Sequence, residues 1–128
     1  MTFRSVRAIG LRLTGVEEST MYGSPALKLG GRMIACIASH KSAEPNTLVV
    51  RTDFEQRDTL VAEEPATYYF KEHYQTFPVV LVRLSRVGPD AMRDLLGAAH
   101  RLVSADAGKR PRPRRRATVQ PRSVKSRR

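Results

Sequence analysis

The sequence has few of the residue types that build redox and metal sites. Cys36 is the one cysteine among its 128 residues. A single cysteine excludes an internal disulfide and any site built from several cysteines. The three histidines, His40, His73 and His100, show no metal-ligand spacing either. We therefore expect neither a metal nor a cofactor.

Long apolar stretches are also missing. No run of about 18 apolar residues is present, which a membrane-spanning helix would need. Arginines interrupt the apolar positions near the N-terminus, where a signal peptide would have a continuous apolar stretch. These patterns predict a cytoplasmic protein with no membrane partner.

Carboxylates are absent from the end of the chain. Residues 1–106 contain 13 Lys or Arg and all 12 Asp or Glu, a net charge of +1. Residues 107–128 contain ten cations and no acid, which supplies the other +10 of the total of +11. Prolines and like charges with few apolar residues cannot form a core. We therefore predict one folded domain over residues 1–106 and a disordered tail over 107–128.

The tail has the composition of a polyanion ligand. Each cation that pairs with a phosphate releases a counterion, so binding is favourable but carries no sequence information. The alternative is an extension that binds polyanions only in vitro. The tail residues predicted to contact nucleic acid are Lys109, Arg110, Arg112, Arg114, Arg115 and Arg116.

Helical and extended segments alternate along the folded part. Apolar residues from Phe3 onward repeat at helical spacing behind a Thr2 N-cap, and a second helix follows an Asp53 cap. A third helix starts at Pro89, where a missing N–H is tolerated. The predicted extended runs are Ser19–Tyr22, Pro25–Leu29, Arg32–Ala38, Thr47–Thr52, Thr67–Phe70 and Phe77–Arg86. This order predicts an α+β two-layer sandwich: a mostly antiparallel sheet with the N- and C-terminal helices on one face.

Side-chain alternation along the strands predicts what the other sheet face carries. If the large apolar residues point to the helices, Lys28, Arg51 and Arg83 point away from them. Arg32 joins them if Met33 faces the helices. No carboxylate is assigned to that face, so the four cations form a candidate nucleic-acid-binding stripe. They could equally be ordinary solvated cations, and a half-apolar open face could instead be a partner or homodimer interface.

A few residues are candidates for ligand contact. Tyr22, in the segment Tyr-Gly-Ser-Pro, and the pair His73-Tyr74 could stack on or hydrogen-bond to a ligand. Structural roles in a turn and a loop are the alternative. His73 has no recognisable nucleophile or orienting carboxylate beside it, so no catalytic residue is assigned. Cys36 is expected to be a packed, unreactive thiol.

Two blocks resemble a known family. They are GVEESTMYGSPALKLGGRMIACIA and LVVRTDFEQRDTLVAEEPATYYFKEHYQTFPVVLVRLSRV, followed by an amphipathic helix. Order and spacing over about Phe3–Ser104 resemble the MmcQ/YjbR family. The resemblance implies a frataxin-like (CyaY-like) α+β fold with a double-wing arrangement, for which DNA binding has been proposed. Thr14 and His100 depart from the residues usual in that family, and the cationic tail lies outside the resemblance.

Three functions remain open from the sequence. The first is a non-enzymatic, DNA-binding protein whose tail adds affinity for phosphate. The second is a protein-interaction or small-ligand module that uses the open sheet face and the region of Tyr22 and His73. The third is an enzyme acting on a small anionic substrate.

Overall fold

The computed structural model describes residues 1–109, with side chains described through Asp106. Three α-helices and six strands follow one another along the chain, with a short 3-10 helix, Glu72–Tyr74, between the fifth and sixth strands. The elements are α1 (Phe3–Gly10), β1 (Val16–Met21), β2 (Ser24–Leu29), β3 (Arg32–Ile37), β4 (Thr47–Arg51), α2 (Phe54–Glu63), β5 (Tyr68–Tyr69), β6 (Val79–Arg83) and α3 (Pro89–Lys109).

The six strands form one sheet in the order β1-β2-β3-β4-β6-β5, and every neighbouring pair is antiparallel. Helices α1 and α3 contact each other, and both pack on β2, while α3 also crosses β3 and β4. The two terminal helices therefore form one layer over one sheet face. This confirms the predicted α+β two-layer fold.

Side-chain caps start the first two helices where the sequence predicted them. The Thr2 side chain accepts a hydrogen bond from the Ser5 backbone N–H, and the Asp53 carboxylate accepts one from Gln56 at 2.7 Å. Each cap satisfies a backbone donor that has no partner inside its helix. The helix boundaries thus follow from local chemistry.

The main core lies between the sheet and the two terminal helices. Val6 of α1 and Leu96 of α3 meet Leu27 and Leu48 of the sheet, and all four are fully buried. Burying a Leu or Val side chain stabilises the fold by roughly 1.5–3 kcal/mol. This apolar layer fixes which sheet face looks away from the helices, and we call that second face the outer face.

Most element boundaries differ from the prediction by a residue or two, and three differ by more or bear on the domain end. Strand β1 begins at Val16, three residues before the predicted Ser19, so Glu17 becomes a strand residue. Strand β6 is shorter than Phe77–Arg86, and α3 continues to Lys109, past the predicted domain end at residue 106. The polar pattern of Val16-Glu17-Glu18 concealed the strand because β1 is an edge strand with little burial.

Arg32 does not lie on the outer face, a position that the sequence left conditional on Met33 facing the helices. Leu27 pairs with Ala35, but Lys28 pairs with Met33, so Ile34 is an extra residue in β3. Such a β-bulge shifts the alternation by one residue. Arg32 consequently lies opposite Leu29, which packs against the helix-side core. Met33 takes the outer face instead.

The prediction of an open outer face is wrong. Ala26 and Leu81 are fully buried there, and Val49 is only 4 % exposed. These residues do belong to the outer face, as the alternation predicted, and they form a second apolar cluster of their own. The apolar residues on which a homodimer or partner interface was predicted are therefore buried within the chain itself.

Two loops cover that second cluster. They are residues 38–46, between β3 and β4, and residues 70–78, between β5 and β6, which we call the outer loops. Ala43 from the first loop and Tyr74 from the second pack on the cluster. The sheet is therefore covered on both sides, by helices on one and by loops on the other.

Within residues 1–109, no helix is both long enough and apolar enough to cross a bilayer. The predicted tail residues from Arg110 onward lie outside the described part of the chain.

A close approach at Gly10 provides a test of the helix layer. A Cβ at Gly10 would overlap the Leu27 Cδ1 atom, whereas a Cβ at Gly97 of α3 would meet only Arg101 at 3.6 Å. We expect Gly10→Ala to lower the free energy of unfolding by about 1–3 kcal/mol through overpacking. Gly97→Ala should raise it by about 0.5–1 kcal/mol, because alanine favours helix. Urea denaturation measures both, and equal stability of the two variants would contradict this packing.

Candidate functional site

Carboxylates accompany the cations of the predicted stripe that occupy outer-face positions, and two of those cations form ion pairs. Lys28, Arg51 and Arg83 occupy outer-face positions of β2, β4 and β6, in register with Glu17, Val79 and Thr47. The stripe was predicted without carboxylates. Glu17 stands directly opposite Lys28, and the two arginines bind acids from other elements, as described next.

Arg83 is held on every side. Its Nε and one terminal nitrogen each donate to the Glu44 carboxylate at 2.8 Å, and the other terminal nitrogen donates to the carbonyl oxygens of Pro65 and Ala66. The guanidinium also stacks on the Tyr69 ring, 4.3 Å from its centroid. Bidentate pairing of this kind is both strong and directional. Arg83 thus fastens the outer loop 38–46 to the sheet.

Arg51 connects the sheet to the last helix. One of its terminal nitrogens donates to the Asp106 carboxylate at 2.7 Å, and its Nε donates to the Thr52 carbonyl oxygen at 3.3 Å. This contact places the end of α3 beside the start of α2. Among the described residues, Lys28 and Arg32 have no ion-pair partner.

The outer loops bring two histidines together. The rings of His40 and His73 stack with centroids 3.6 Å apart and planes within 8° of parallel. Tyr74 lies edge-on to His73 at 4.9 Å and to His40 at 6.3 Å. The sequence predicted His73 and Tyr74 as candidate contacts but missed His40, which is 33 residues away from His73. No local pattern links them, because the contact exists only once both loops fold over the sheet.

Lost hydration and neighbouring charges favour the neutral form of His40. His40 Nδ1 accepts a hydrogen bond from the Ser42 backbone N–H at 3.1 Å and lies 2.7 Å from the Ser42 hydroxyl. Loss of hydration lowers the pKa of His40, and the neighbouring His73 and Lys41 lower that pKa further. Burial raises the pKa of Tyr74. The His40 ring is therefore neutral near pH 7, and a neutral ring can stack on its neighbour.

Part of the cluster faces solvent. His73 is exposed and Phe77, whose ring centroid lies 6.4 Å from that of His73, is 50 % exposed. Tyr22 is 84 % exposed at the β1–β2 turn, with a positive φ of 53° that is unusual for a residue other than glycine. Its ring contacts no other ring within the described residues, so the structure does not join Tyr22 to His73 and Tyr74.

The sequence did not predict that Arg57 is buried and holds a loop. Arg57 of α2 lies between the rings of Phe54 and Phe70, at 5.0 and 4.2 Å, and donates to the Gln75 carbonyl oxygen at 2.9 Å. It also pairs with Asp58. Arg57 thereby anchors α2 to the outer loop 70–78. In the sequence it looks like one more charge on a polar helix.

Cys36 and the histidines offer no metal centre. Cys36 is buried on the outer face, as predicted, and burial raises its pKa to about 11, with a smaller opposing effect of Lys28. Within residues 1–106, no group of three His, Cys, Asp or Glu side chains could hold a metal ion. His100 lies apart from the other two histidines, and its Nε2 donates a hydrogen bond to the Thr14 carbonyl oxygen at 2.8 Å.

The predicted tail cations fall at or after the last residue that the structure describes, Lys109. Lys109 is the last residue of α3, and its side chain is not described. The other tail residues predicted to bind nucleic acid, Arg110, Arg112, Arg114, Arg115 and Arg116, fall outside the described residues.

A six-stranded antiparallel sheet with two helices packed on one face and loops on the other defines the protein as an α+β domain. A family model described as YjbR matches residues 11–102. The chain belongs to the YjbR family. This confirms the family resemblance seen in the sequence.

One solved structure supports the same fold. The crystal structure of Deinococcus radiodurans protein DR2400, described as containing the domain DUF419, has a TM-score of 0.68 and 21 % sequence identity, and the match covers 83 % of this chain and 80 % of that chain. No curated protein matches. At this identity the likeness supports the fold alone.

The ion pair of Arg83 and Glu44 can be tested by substitution. We expect Glu44→Gln to lower the free energy of unfolding at pH 7, because charge-assisted hydrogen bonds to Arg83 are lost, although the exposure of Glu44 limits the size of the loss. Arg83 lowers the pKa of Glu44 below 4.5. The stabilisation is therefore present above pH 4.5 and is lost as the pH falls further. Denaturation at pH 7 and below pH 4 measures this difference.

The control for that variant is Glu18→Gln. Glu18 pairs with Arg7 at 3.3 Å, and both side chains are exposed. Exposed pairs contribute little, so we expect a loss below about 0.5 kcal/mol. Equal losses in the two variants would show that Glu44 does not fasten the outer loop.

The stacked histidines give the fold a different pH dependence. The folded pKa of His40 lies below its ordinary value of 6.5, so the unfolded chain takes up the proton first. The free energy of unfolding should therefore decrease as the pH falls below 6.5. We expect His40→Gln to show a shallower decrease between pH 7 and 5.5, measured by urea denaturation. Identical slopes in both proteins would contradict this role of His40.

Proposed function

We propose that this protein binds nucleic acid, most directly DNA, through phosphate contacts and without catalysing a reaction on it. The observation that carries the proposal is the charge partition: ten cations and no carboxylate in residues 107–128, against a net charge of +1 in residues 1–106. A segment of that composition exchanges counterions for phosphates. The folded domain belongs to the YjbR family and places the start of this segment at the end of α3.

Several cations of the folded domain are already paired with carboxylates and are therefore less available to phosphate than the cations of the tail. Five of its cations are in ion pairs: Arg7, Arg51, Arg57, Arg83 and Arg93. Arg83, predicted to contact phosphate, directs most of its five N–H donors at protein oxygens, and Arg51 directs two of its five. A phosphate would have to displace an existing partner there. The phosphate contacts are accordingly assigned first to the tail.

Unpaired cations on the domain are the second source of phosphate contacts. Within the described residues, eight Lys or Arg side chains have no ion-pair partner, and five of them on separate parts of the domain are Arg4, Arg12, Lys28, Arg32 and Arg86. Dispersed charges of this kind add a weak, salt-sensitive attraction. They also allow a control in which the same net charge is removed from the domain.

The test compares two variants that each lose five positive charges. One replaces Arg110, Arg112, Arg114, Arg115 and Arg116 with Gln, and the other replaces Arg4, Arg12, Lys28, Arg32 and Arg86 with Gln. Binding to a fluorescent DNA duplex is measured by anisotropy between 50 and 300 mM NaCl. Each phosphate contact contributes about −0.9 to the slope of log K against log salt.

We expect the tail variant to lose up to about 4 from the magnitude of that slope, and the domain variant to lose about 1 or less. Equal effects in both variants would assign binding to net charge instead of the tail. Unchanged binding by the tail variant, or no binding by the wild-type protein at 50 mM NaCl, would overturn the proposal.

A further inference from the structure

The outer loops present aromatic rings and cations on one surface. His73 is exposed, and His40 covers one face of its ring. Phe77 adds a second, half-exposed ring beside it. We call His40, His73 and Phe77 the ring platform.

The ring platform is held in place from beneath. Tyr74 is buried on the outer face and meets both imidazoles edge-on. The backbone N–H of Tyr74 donates to the Lys71 carbonyl oxygen at 2.8 Å, and that of Phe77 donates to the Tyr74 carbonyl oxygen at 3.1 Å. A ligand that stacks on rings already held in this way orders few side chains, so little binding free energy is lost.

Two lysines lie on the outer loops that carry the ring platform, and the Lys71 ammonium lies 5.8 Å from the Tyr69 ring centroid. Lys41 follows His40 in sequence and is close enough to lower the pKa of that imidazole, and both Lys41 and Lys71 are exposed. The nearby acids are Glu44, whose carboxylate is bound to Arg83, and the exposed Glu72. With one acid already neutralised, the surface around the rings is not anionic. Proteins that bind single-stranded nucleic acids combine aromatic rings, on which bases stack, with cations that contact the backbone.

We propose that the ring platform is a stacking site for the unpaired bases of single-stranded nucleic acid, with Lys41 and Lys71 contacting the adjoining phosphates. The proposal rests on the function proposed above and specifies its ligand. In a duplex the faces of the bases are stacked on one another, so rings on a protein surface cannot reach them. An unpaired base offers a free face, and stacking on that face does not depend on the sequence.

Stacking and phosphate contact predict different effects of substitution. Base–aromatic stacking contributes about 1–3 kcal/mol per base, which corresponds to a 5- to 150-fold change in affinity. We expect His73→Ala and Phe77→Ala each to weaken binding of an oligothymidylate by a factor in this range. Duplex affinity should stay within twofold, and the salt slope should not change, because no counterion is released by stacking.

Leu11→Ala is the matched control. Leu11 is 43 % exposed, close to the exposure of Phe77, and lies at the end of α1, on the other side of the sheet from the outer loops. Its substitution should leave binding of both nucleic acids unchanged. Thermal unfolding of every variant checks that the fold is retained, and His73→Phe, which keeps a ring, should retain affinity for the oligothymidylate.

A direct readout uses the absence of tryptophan from the chain. The Phe77→Trp variant has one indole, at the ring platform, and stacking of a base on it should quench its fluorescence. We expect quenching by the oligothymidylate and none by a duplex of equal length. Equal quenching by both, or wild-type affinity in His73→Ala and Phe77→Ala, would overturn the ring platform as a single-strand site.

The two proposals fail in different ways. If the tail variant loses binding to duplex and single strand while the ring variants bind like wild type, the phosphate-binding function stands and the ring platform is wrong. If the wild-type protein binds neither nucleic acid at 50 mM NaCl, the proposed function itself is wrong. If the Phe77→Trp variant is quenched by neither the oligothymidylate nor the duplex, the ring platform is not a nucleic-acid site and the proposal is overturned.

Discussion

The sheet has two apolar faces, and both have to be buried. Helices α1 and α3 cover only one of them, so residues such as Val49 and Leu81 on the outer face need a second cover. The outer loops supply it. Their path across the sheet then determines the ion pair of Arg83 with Glu44 and the contact between His40 and His73. Those polar and aromatic contacts are consequences of apolar burial, because each joins an outer loop either to the sheet or to the other loop.

Burial of the second apolar face also determines what several cations of the domain contact. Cations near the covered face are used to hold loops and helices, as Arg57 does between two aromatic rings and Arg51 does at Asp106. A guanidinium that already has hydrogen-bond partners would have to give them up to bind a phosphate. The unpaired cations of the domain are accompanied by 12 acids in residues 1–106, while the tail has ten cations with no acid among them. The proposal that the tail contacts phosphate rests on this division.

Much of the candidate site lay beyond sequence reasoning, for identifiable reasons. Alternation assigned Lys28, Arg51 and Arg83 to outer-face positions, because a strand has a period of two, although the Arg51 guanidinium binds Asp106 of α3. Alternation could not place Arg32, since the bulge at Ile34 shifts the period without any mark in the sequence. It also could not reveal partners such as Glu44, which lies 39 residues from Arg83. Contacts across that separation depend on the loop path.

The sequence by itself determined the fold class, the caps at Thr2 and Asp53, and the concentration of positive charge after Asp106. These features depend on neighbours a few residues apart, and such local interactions can be read from spacing and composition. Only the tertiary structure decided that the outer face is covered and that His40 meets His73. The reason is that burial of a second apolar face is a property of the assembled sheet, and no single strand specifies which loop will fold over it.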